Sequence, residues 1–562
     1  MSQIKPPLPA KFGALGWLSV VGLLIGALCH LLWLTSLRAL SLDEFVHSHA
    51  AWLWHQGSRP YLEFWSHDSG GLWQLLSVAH DFSDSARQFV VRCRQLLCLG
   101  WLVQLWLLWR LAAHWLNAKW ALFAPLTALL LQPWLDTAIE IRGEPLAWTL
   151  LLSGVWLVQS VDPQGKGIRS ALAGFAIVTA SWFSLYVGAC GALWVTLLIV
   201  DAKVRSDDRA TLVDLSLLLS AVTMTGCVWI GFLWSTGLLG GFWQSAVLPI
   251  IHGGLSTPRT ASKALMTEVV WPNLATFVAA GLGALSMIRQ ALRAEVDAAR
   301  YFMAAVVIMT LTSWSMSWDS SLDSGMGSWI LCALWAPLGL RWAWRGGMAS
   351  ERWHQVAVPI WLLVTVTQLA LHQDNRPDKD LERQLKTLDQ IEGLTLSTDL
   401  VFASHGQAIA RQTIYPLCSN GWRIRQHLNA KLEEKLITSL YENRVSVVLA
   451  QPPNQPLRPK LSEFIKRHFV PYNEDILLWG SAVRTRHGGH GKDSILIPKR
   501  STWLIEQINP KQPSTVWVDG EQVRSNSLYL RRGLHQVEVQ SGAGVWVLWQ
   551  PRDGRRWRPE TD

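Results

Sequence analysis

Apolar residues in this chain fall in long blocks separated by short polar stretches, a pattern unlike either strand alternation or the half-apolar stripe of a soluble helix. A bilayer core of about 30 Å is crossed by ~20 apolar residues in a helix, because no backbone polar group can go unpaired in lipid. Blocks of this kind predict spans at roughly 13–35, 90–110, 120–135, 144–160, 170–187, 188–201, 213–236, 273–289, 301–317, 328–344 and 354–372, about eleven in all. The pair at 170–201 is the least separated, with Gly188 and Gly191 as its only break. The first block follows Lys5 and Lys11, is too long for a signal-peptide core and has no small-residue cleavage site, so it is expected to stay as an anchor.

From about Gln373 the pattern becomes that of a soluble region. Residues 373–490 mix helical periodicity (Leu381 to Ile391, Ala430 to Tyr441) with short apolar strands such as 445–449, which predicts an extracytoplasmic α/β module. Residues 491–562 read as short alternating strands. Thr515 to Val518 precede an Asp519-Gly520 hairpin signal, and Leu528 to Leu530, His535 to Val539 and Val545 to Trp549 follow, predicting a small β-sandwich. The expected organisation is therefore a transmembrane domain over 1–372, with an outer loop at 36–89, and two modules outside the membrane.

Composition agrees with that division. Half of the 562 residues are hydrophobic and only 16% are charged, against about 25% in an ordinary soluble domain. Tryptophan, at 35 copies, outnumbers phenylalanine and tyrosine together, and such a profile excludes a disordered chain. Five of the seven cysteines fall inside expected spans, Cys93 at a span edge and only Cys418 in the tail, which excludes a disulfide scaffold and gives no zinc spacing. The net charge of +9 first suggests nucleic acid, but its distribution is topological. One set of alternate loops holds Arg110 and Lys119, Lys166 and Arg169, Lys203, Arg205 and Arg209, Arg289, Arg293 and Arg300, then Arg341, Arg345 and Arg352. The opposite loops at 135–143 and 318–327 carry Asp or Glu, while the one at 237–272 holds Arg259 and Lys263 as a mild exception. The positive-inside rule then puts the N-terminus in the cytoplasm and the tail outside, and nucleic acid is dropped as a partner in favour of membrane lipids.

The outer loops carry the polar chemistry. The first contains Asp43-Glu44, then His47 and His49, a Gly57…Pro60-Tyr61-Leu62-Glu63-Phe64 turn, His55, His67 and Asp68, with helices expected over 44–56 and 71–80. A carboxylate held where bilayer gives way to water can act as a general base, since partial desolvation raises its pKa towards the working range. The same position also suits a solvated helix start, where acidic residues favour the dipole. His47 follows Asp43 by four residues, on one helical face. His49, His55 and His67 add ligand types for a divalent metal, though interfacial histidine is more often a hydrogen-bonding surface residue. The next outer loop reads Asp136-Thr137-Ala138-Ile139-Glu140-Ile141-Arg142-Gly143-Glu144-Pro145-Leu146-Ala147. Its arginine presents the planar fork suited to phosphate oxygens.

These residues together resemble a bacterial family of GT-C glycosyltransferases, whose relatives include protein O-mannosyltransferases, lipid A aminoarabinose transferases and lipopolysaccharide galacturonosyltransferases. The first signature is Asp43-Glu44 with His47, His49, the Pro60 to Phe64 turn and His67. The second, Glu140-Ile141-Arg142-Gly143-Glu144-Pro145-Leu146-Ala147, is similar to a family motif usually written Glu-x-Arg-Pro-Asp-x-Leu-Ala. The resemblance covers about the first 150 residues and hydropathy alone thereafter. It implies transfer of a sugar from a polyprenyl-phosphate carrier to an acceptor hydroxyl of a lipid, glycan or protein on the outer face of the cytoplasmic membrane, with inversion. It makes Asp43 the catalytic base and Arg142 the holder of the carrier phosphate. Glu44, Glu140 and Glu144 would position sugar hydroxyls or the arginine, and His47 and His67 would lie near the phosphate. Asp68, Gly70 and Gly143-Glu144 depart from the family pattern, and Ser181 to Tyr186 stands where many relatives place a lysine. A transporter or flippase, which would carry its charges at mid-span, and a non-catalytic scaffold are the alternatives.

Overall fold

The computed structural model describes residues 14–64, 66, 69–159, 166–204, 209–248, 271–292, 326–344, 353–374, 381–396, 399–403, 408–409, 411, 430–449, 459–485 and 489–551. The expected span at 301–317, His67, Cys418 and the arginines at 552–558 lie outside the described residues. In chain order the helices are α1 (Ala14–Leu37), α2 (Leu42–His55), α3 (Gly71–His80), α4 (Ala86–Trp115), α5 (Ala118–Ala121), α6 (Phe123–Leu130), α7 (Gln132–Ile139) and α8 (Glu144–Gln159). They continue with α9 (Lys166–Phe183), α10 (Leu185–Val204), α11 (Arg209–Ser235), α12 (Leu239–Phe242), α13 (Leu274–Leu292), α14 (Met326–Trp344) and α15 (Trp353–Asp374). The tail holds α16 (Leu381–Leu394), α17 (Ala430–Glu442) and α18 (Pro459–His468). Its strands are β1 (Val401–Phe402), β2 (Val447–Leu449), β3 (Phe469–Pro471), β4 (Ile476–Arg484), β5 (His490–Ile497), β6 (Ser501–Gln507), β7 (Thr515–Val518), β8 (Glu521–Gln522), β9 (Ser527–Leu530), β10 (Gly533–Gln540) and β11 (Gly544–Trp549).

The chain forms two compact units. One comprises 1–38, 67–72 and 93–379; the other comprises 39–66, 73–92 and 380–562.

In the first unit helices occupy every expected block that falls among the described residues. Among the described residues four are long and apolar enough to cross a membrane, at Gly16–Leu37, Ala86–Trp115, Leu212–Ser235 and Trp271–Arg289, and a bent pair makes up to five. The others fall short of a span for local reasons: α8 has 16 residues, and the apolar parts of α9 and α10 are Gly167–Phe183 and Leu185–Val200. Only 11% of the apolar windows of α1 and α11 is buried, so these helices present their surface outwards, as lipid-facing spans do. Two expectations are corrected. The block at 120–135 is not one straight helix: α6 and α7 meet at 70°. Pro133 in the first turn of α7 cannot donate a backbone hydrogen bond, and Leu131 is extended (φ −86, ψ 105). Asn273 Oδ1 accepts the Gln132 N–H at 3.1 Å instead. The break between α9 and α10 falls at Ser184, with Gly188 and Gly191 inside α10. The core of this unit is aliphatic and tryptophan-rich, with Trp101, Trp134 and Trp148 almost fully buried.

In the second unit a seven-stranded sheet runs β1-β2-β4-β11-β6-β9, with β3 also on β4, and a four-stranded sheet runs β5-β10-β7-β8. Only β1 and β2 pair in parallel among the described strands. β4 pairs with β11, Val483 opposite Val545, so strands on both sides of residue 490 share one sheet and one core. The hairpin turn falls where the sequence places it: Asp519 (φ 52) and Gly520 (φ 86) are both left-handed, as a tight two-residue hairpin requires.

Candidate functional site

The first cluster belongs to the second unit and begins at α2. Ser41 is its N-cap: the Glu44 N–H donates to Ser41 Oγ (3.3 Å) and the Ser41 N–H donates to Glu44 Oε2 (2.9 Å). This reciprocal capping box satisfies two backbone donors of the first turn, and it buries Glu44 completely. The two adjacent carboxylates therefore have different fates. Glu44 is a structural cap, whereas Asp43 is half-buried in the same turn, where the helix dipole favours a negative charge. The Ser-x-x-Glu spacing was readable as a cap in the sequence, and it gives Glu44 a part in helix initiation.

His47, one turn further along, is buried, and its Nδ1 accepts the indole N–H of Trp73 at 3.3 Å. That bond requires Nδ1 to be deprotonated, so the ring proton sits on Nε2. Trp73 is itself held by Tyr61 and Phe64, at ring separations of 6.0 and 5.7 Å. Tyr61 adopts φ 66, a conformation that costs a bulky residue about 1 kcal/mol or more. It is fixed there by its N–H donating to the Phe64 carbonyl (2.8 Å). The Pro60 to Phe64 signature thus builds the wall that orients His47. Glu63, in the same turn, faces outward and pairs with Arg59 at 2.9 Å, which holds its carboxyl below the usual range. His49 is buried against Trp52, and desolvation pushes its pKa down to about 4, so it is neutral. His55 stacks on His80 at 4.1 Å, with Asp81 3.7 Å from its Nδ1. Among the described residues no group of three His, Cys, Asp or Glu side chains is arranged to hold a metal ion.

The second cluster belongs to the first unit. Arg38, the residue after α1, donates to the Asp136 carbonyl (3.0 Å), to Asp136 Oδ1 (3.2 Å) and to Glu140 Oε1 (3.0 Å). The other oxygen of Glu140 lies 3.4 Å from Arg142 Nε, and both side chains are 7% exposed. Gln132 Nε2 donates to Asp136 Oδ1 at 2.8 Å. Arg94, also buried, donates to the carbonyls of Thr35 and Arg38 (3.0 and 2.8 Å) and ties α4 to the end of α1. Glu140 is therefore shared between two guanidinium groups, and Arg142 is held from one side by a carboxylate already engaged elsewhere. Glu144 starts α8 and is half-buried at its positive end.

Arg38 and Arg94 were missed by sequence reasoning because they sit at or inside apolar blocks, where each reads as a boundary charge. The signal available was that Arg38 directly precedes the Asp43 segment, on the acidic side of the membrane. Gly143 has its own reason: a Cβ there would lie 2.4 Å from the Phe183 carbonyl oxygen. The departure from the family's proline is thus forced by close approach to the end of α9. Proline occurs two residues later, at Pro145 in the first turn of α8, where its missing N–H costs nothing.

No protein-family model matches the chain, and no curated protein sequence matches it. Solved structures do. ArnT from Cupriavidus metallidurans in the apo state aligns over 83% of this chain and 98% of its own, with TM-score 0.55 and 13% identity. The same protein bound to undecaprenyl phosphate aligns over the same shares, with TM-score 0.51 and 12% identity. The apo oligosaccharyltransferase of Archaeoglobus fulgidus aligns over 77% of this chain and 69% of its own, with TM-score 0.46 and 12% identity. The fold of this chain is therefore one it shares with ArnT, in line with the resemblance of its two outer-loop signatures to aminoarabinose transferases.

Proposed function

Starting from this GT-C fold, we propose that the chain is a membrane glycosyltransferase that moves a sugar from a polyprenyl-phosphate carrier to an acceptor hydroxyl on the outer face of the cytoplasmic membrane. The observation that carries the reading is the place of Asp43, half-buried in the first turn of a helix whose start is fixed by the Ser41–Glu44 capping box. ArnT, with which the fold is shared, was solved bound to undecaprenyl phosphate, and this supports a lipid-phosphate leaving group.

In the proposed reaction the Asp43 carboxylate takes the proton of the acceptor hydroxyl as its oxygen attacks the anomeric carbon. The bond from that carbon to the phosphate oxygen breaks on the opposite face, so the configuration inverts. The departing polyprenyl phosphate gains negative charge, which Arg142 stabilises. Glu140 orients Arg142 through the 3.4 Å contact, and Glu144 and His47 complete the polar surroundings of substrate. His67 is assigned to the phosphate by resemblance alone. The cation-rich loops support a cytoplasmic N-terminus and an outer tail.

The test is Asp43→Asn and Arg142→Ala in the native host, scored by mass profiles of envelope glycans and glycolipids beside a clean deletion. Both variants are expected to accumulate in the membrane and to reproduce the sugar loss of the deletion, whose mass names the sugar. Rescue of the deletion by both variants would sink the proposal.

A further inference from the structure

The second unit contains a feature the proposed chemistry does not yet use. Gln384, near the start of α16, forms a two-point bond with the backbone of Leu40: its Oε1 accepts the Leu40 N–H at 2.6 Å and its Nε2 donates to the Leu40 carbonyl at 3.0 Å. Leu40 immediately precedes the N-cap Ser41 and stands three residues before Asp43. A side-chain amide here takes the place of a neighbouring strand. It fixes the peptide groups on both sides of Leu40, and so sets the direction in which α2 begins.

α16 is a firm base for such a bond. Arg383 is held by Asp475 through two contacts of 2.9 and 2.7 Å, Thr387 donates to Asp475 (3.1 Å), and Asn473 donates to Gln390 (2.9 Å). These bonds anchor the helix to the turn between β3 and β4. From the same helix Glu392 Oε1 accepts the Ala86 N–H (2.9 Å), and Glu382 and Asp389 both take Arg87. The helix therefore grips each end of the segment that carries α2 and α3. The Gln384 amide reaches the residue next to the α2 cap.

We propose that Gln384 is a positioning residue for Asp43: through the two bonds to Leu40 it holds the first turn of α2 so that the carboxylate meets the acceptor hydroxyl. The inference rests on the reading of Asp43 as the base. A catalytic group displaced by about 1 Å loses up to two orders of magnitude in rate, while one neutral hydrogen bond has only a modest effect on stability. Gln384 thus acts on turnover far more than on folding.

The experiment uses the full-length chain with Gln384→Leu, which removes both bonds at similar volume, and Gln384→Glu, which keeps the acceptor for the Leu40 N–H and loses the donor. Product formation is read in the native host as the sugar-bearing species absent from the Asp43→Asn strain, at matched membrane abundance. Hydrogen–deuterium exchange of the purified full chain reads residues 40–46, and thermal unfolding reads the whole protein. We expect Gln384→Leu to cut product roughly tenfold, Gln384→Glu to retain more, faster exchange confined to the start of α2, and a little-changed melting temperature. Added to Asp43→Glu, Gln384→Leu should lower product by much less than tenfold, because both changes misplace one carboxylate. Full product from Gln384→Leu, or a loss that tracks falling abundance or melting temperature, overturns the proposal. If Asp43→Asn keeps its product, the reading of Asp43 fails first. In that case unchanged exchange at 40–46 in Gln384→Leu separately shows that the amide does not hold the helix.

Discussion

Replacing Arg38 by methionine gives the sharpest test of the buried charge network. The guanidinium makes three contacts of 3.0 to 3.2 Å with Asp136 and Glu140, and these side chains are only 16%, 17% and 7% exposed. Methionine keeps the aliphatic packing but leaves two carboxylates facing the vacated position. Removing one partner of a buried ion pair costs about 3–5 kcal/mol. The partial exposure of Arg38 and Asp136 and the second cation beside Glu140 place this case at the lower end, about 3 kcal/mol. For a unit of this size that corresponds to roughly 4 °C in melting temperature, measurable from tryptophan emission of the purified chain in detergent. Arg38→Lys keeps the charge but not the fork, and should lose about 1 kcal/mol. Adding Glu140→Gln to Arg38→Met should recover part of the loss, because the stranded charge is then gone. With Arg38 absent, Glu140 turns wholly to Arg142, so the single variant should also weaken phosphate-dependent activity by more than its stability loss explains. A melting temperature unchanged in Arg38→Met, or strict additivity with Glu140→Gln, would refute this account of the cluster.

Three further predictions follow from local geometry. His49 and His468 are held neutral by burial, each at about 4 against 6.5 when exposed. The unfolded chain therefore binds more protons between those values, and stability is lost as pH falls through that window. By pH 5 His49 alone should account for about 2 kcal/mol and the more exposed His468 for less; His49→Phe should flatten the acid limb of a melting-temperature profile. Gly143→Ala places a methyl 2.4 Å from the Phe183 carbonyl oxygen, so it should cost about 1–3 kcal/mol and reduce activity through Arg142, read by thermal unfolding and product mass. Ser41→Ala removes the α2 cap and should cost about 1 kcal/mol, visible as faster amide exchange at Glu44 and Phe45.

What the sequence revealed depended on the range of the interaction. Apolar blocks and the Asp519-Gly520 turn are local, so helix positions and the hairpin were readable directly. The bend at Leu131 was also written locally, in Pro133, but an apolar block hides a proline's effect when only hydropathy is read. Asp43 and Arg142 stood out as candidates because acidic and basic residues are conspicuous at the ends of apolar runs. Their supports were not, since Arg38 meets Glu140 across 102 positions and Gln384 meets Leu40 across 344. No pattern in one sequence marks such a pairing. Glu44 shows a local signal of another kind, since its capping box with Ser41 spans three residues and is written in the sequence.

The 344-residue gap between Leu40 and Gln384 has a consequence for biogenesis. Ribosomes add about 5–20 residues per second, so the α2–α3 segment is made roughly 20–70 s before the helix that grips it. During that interval the segment and its ends lack the bonds that Glu382, Gln384, Asp389 and Glu392 supply. A nascent chain arrested before residue 381 should therefore expose this loop to proteases and to holdase chaperones. Release past α16 should close that window in a single step, which makes the tail the timer of the loop's maturation.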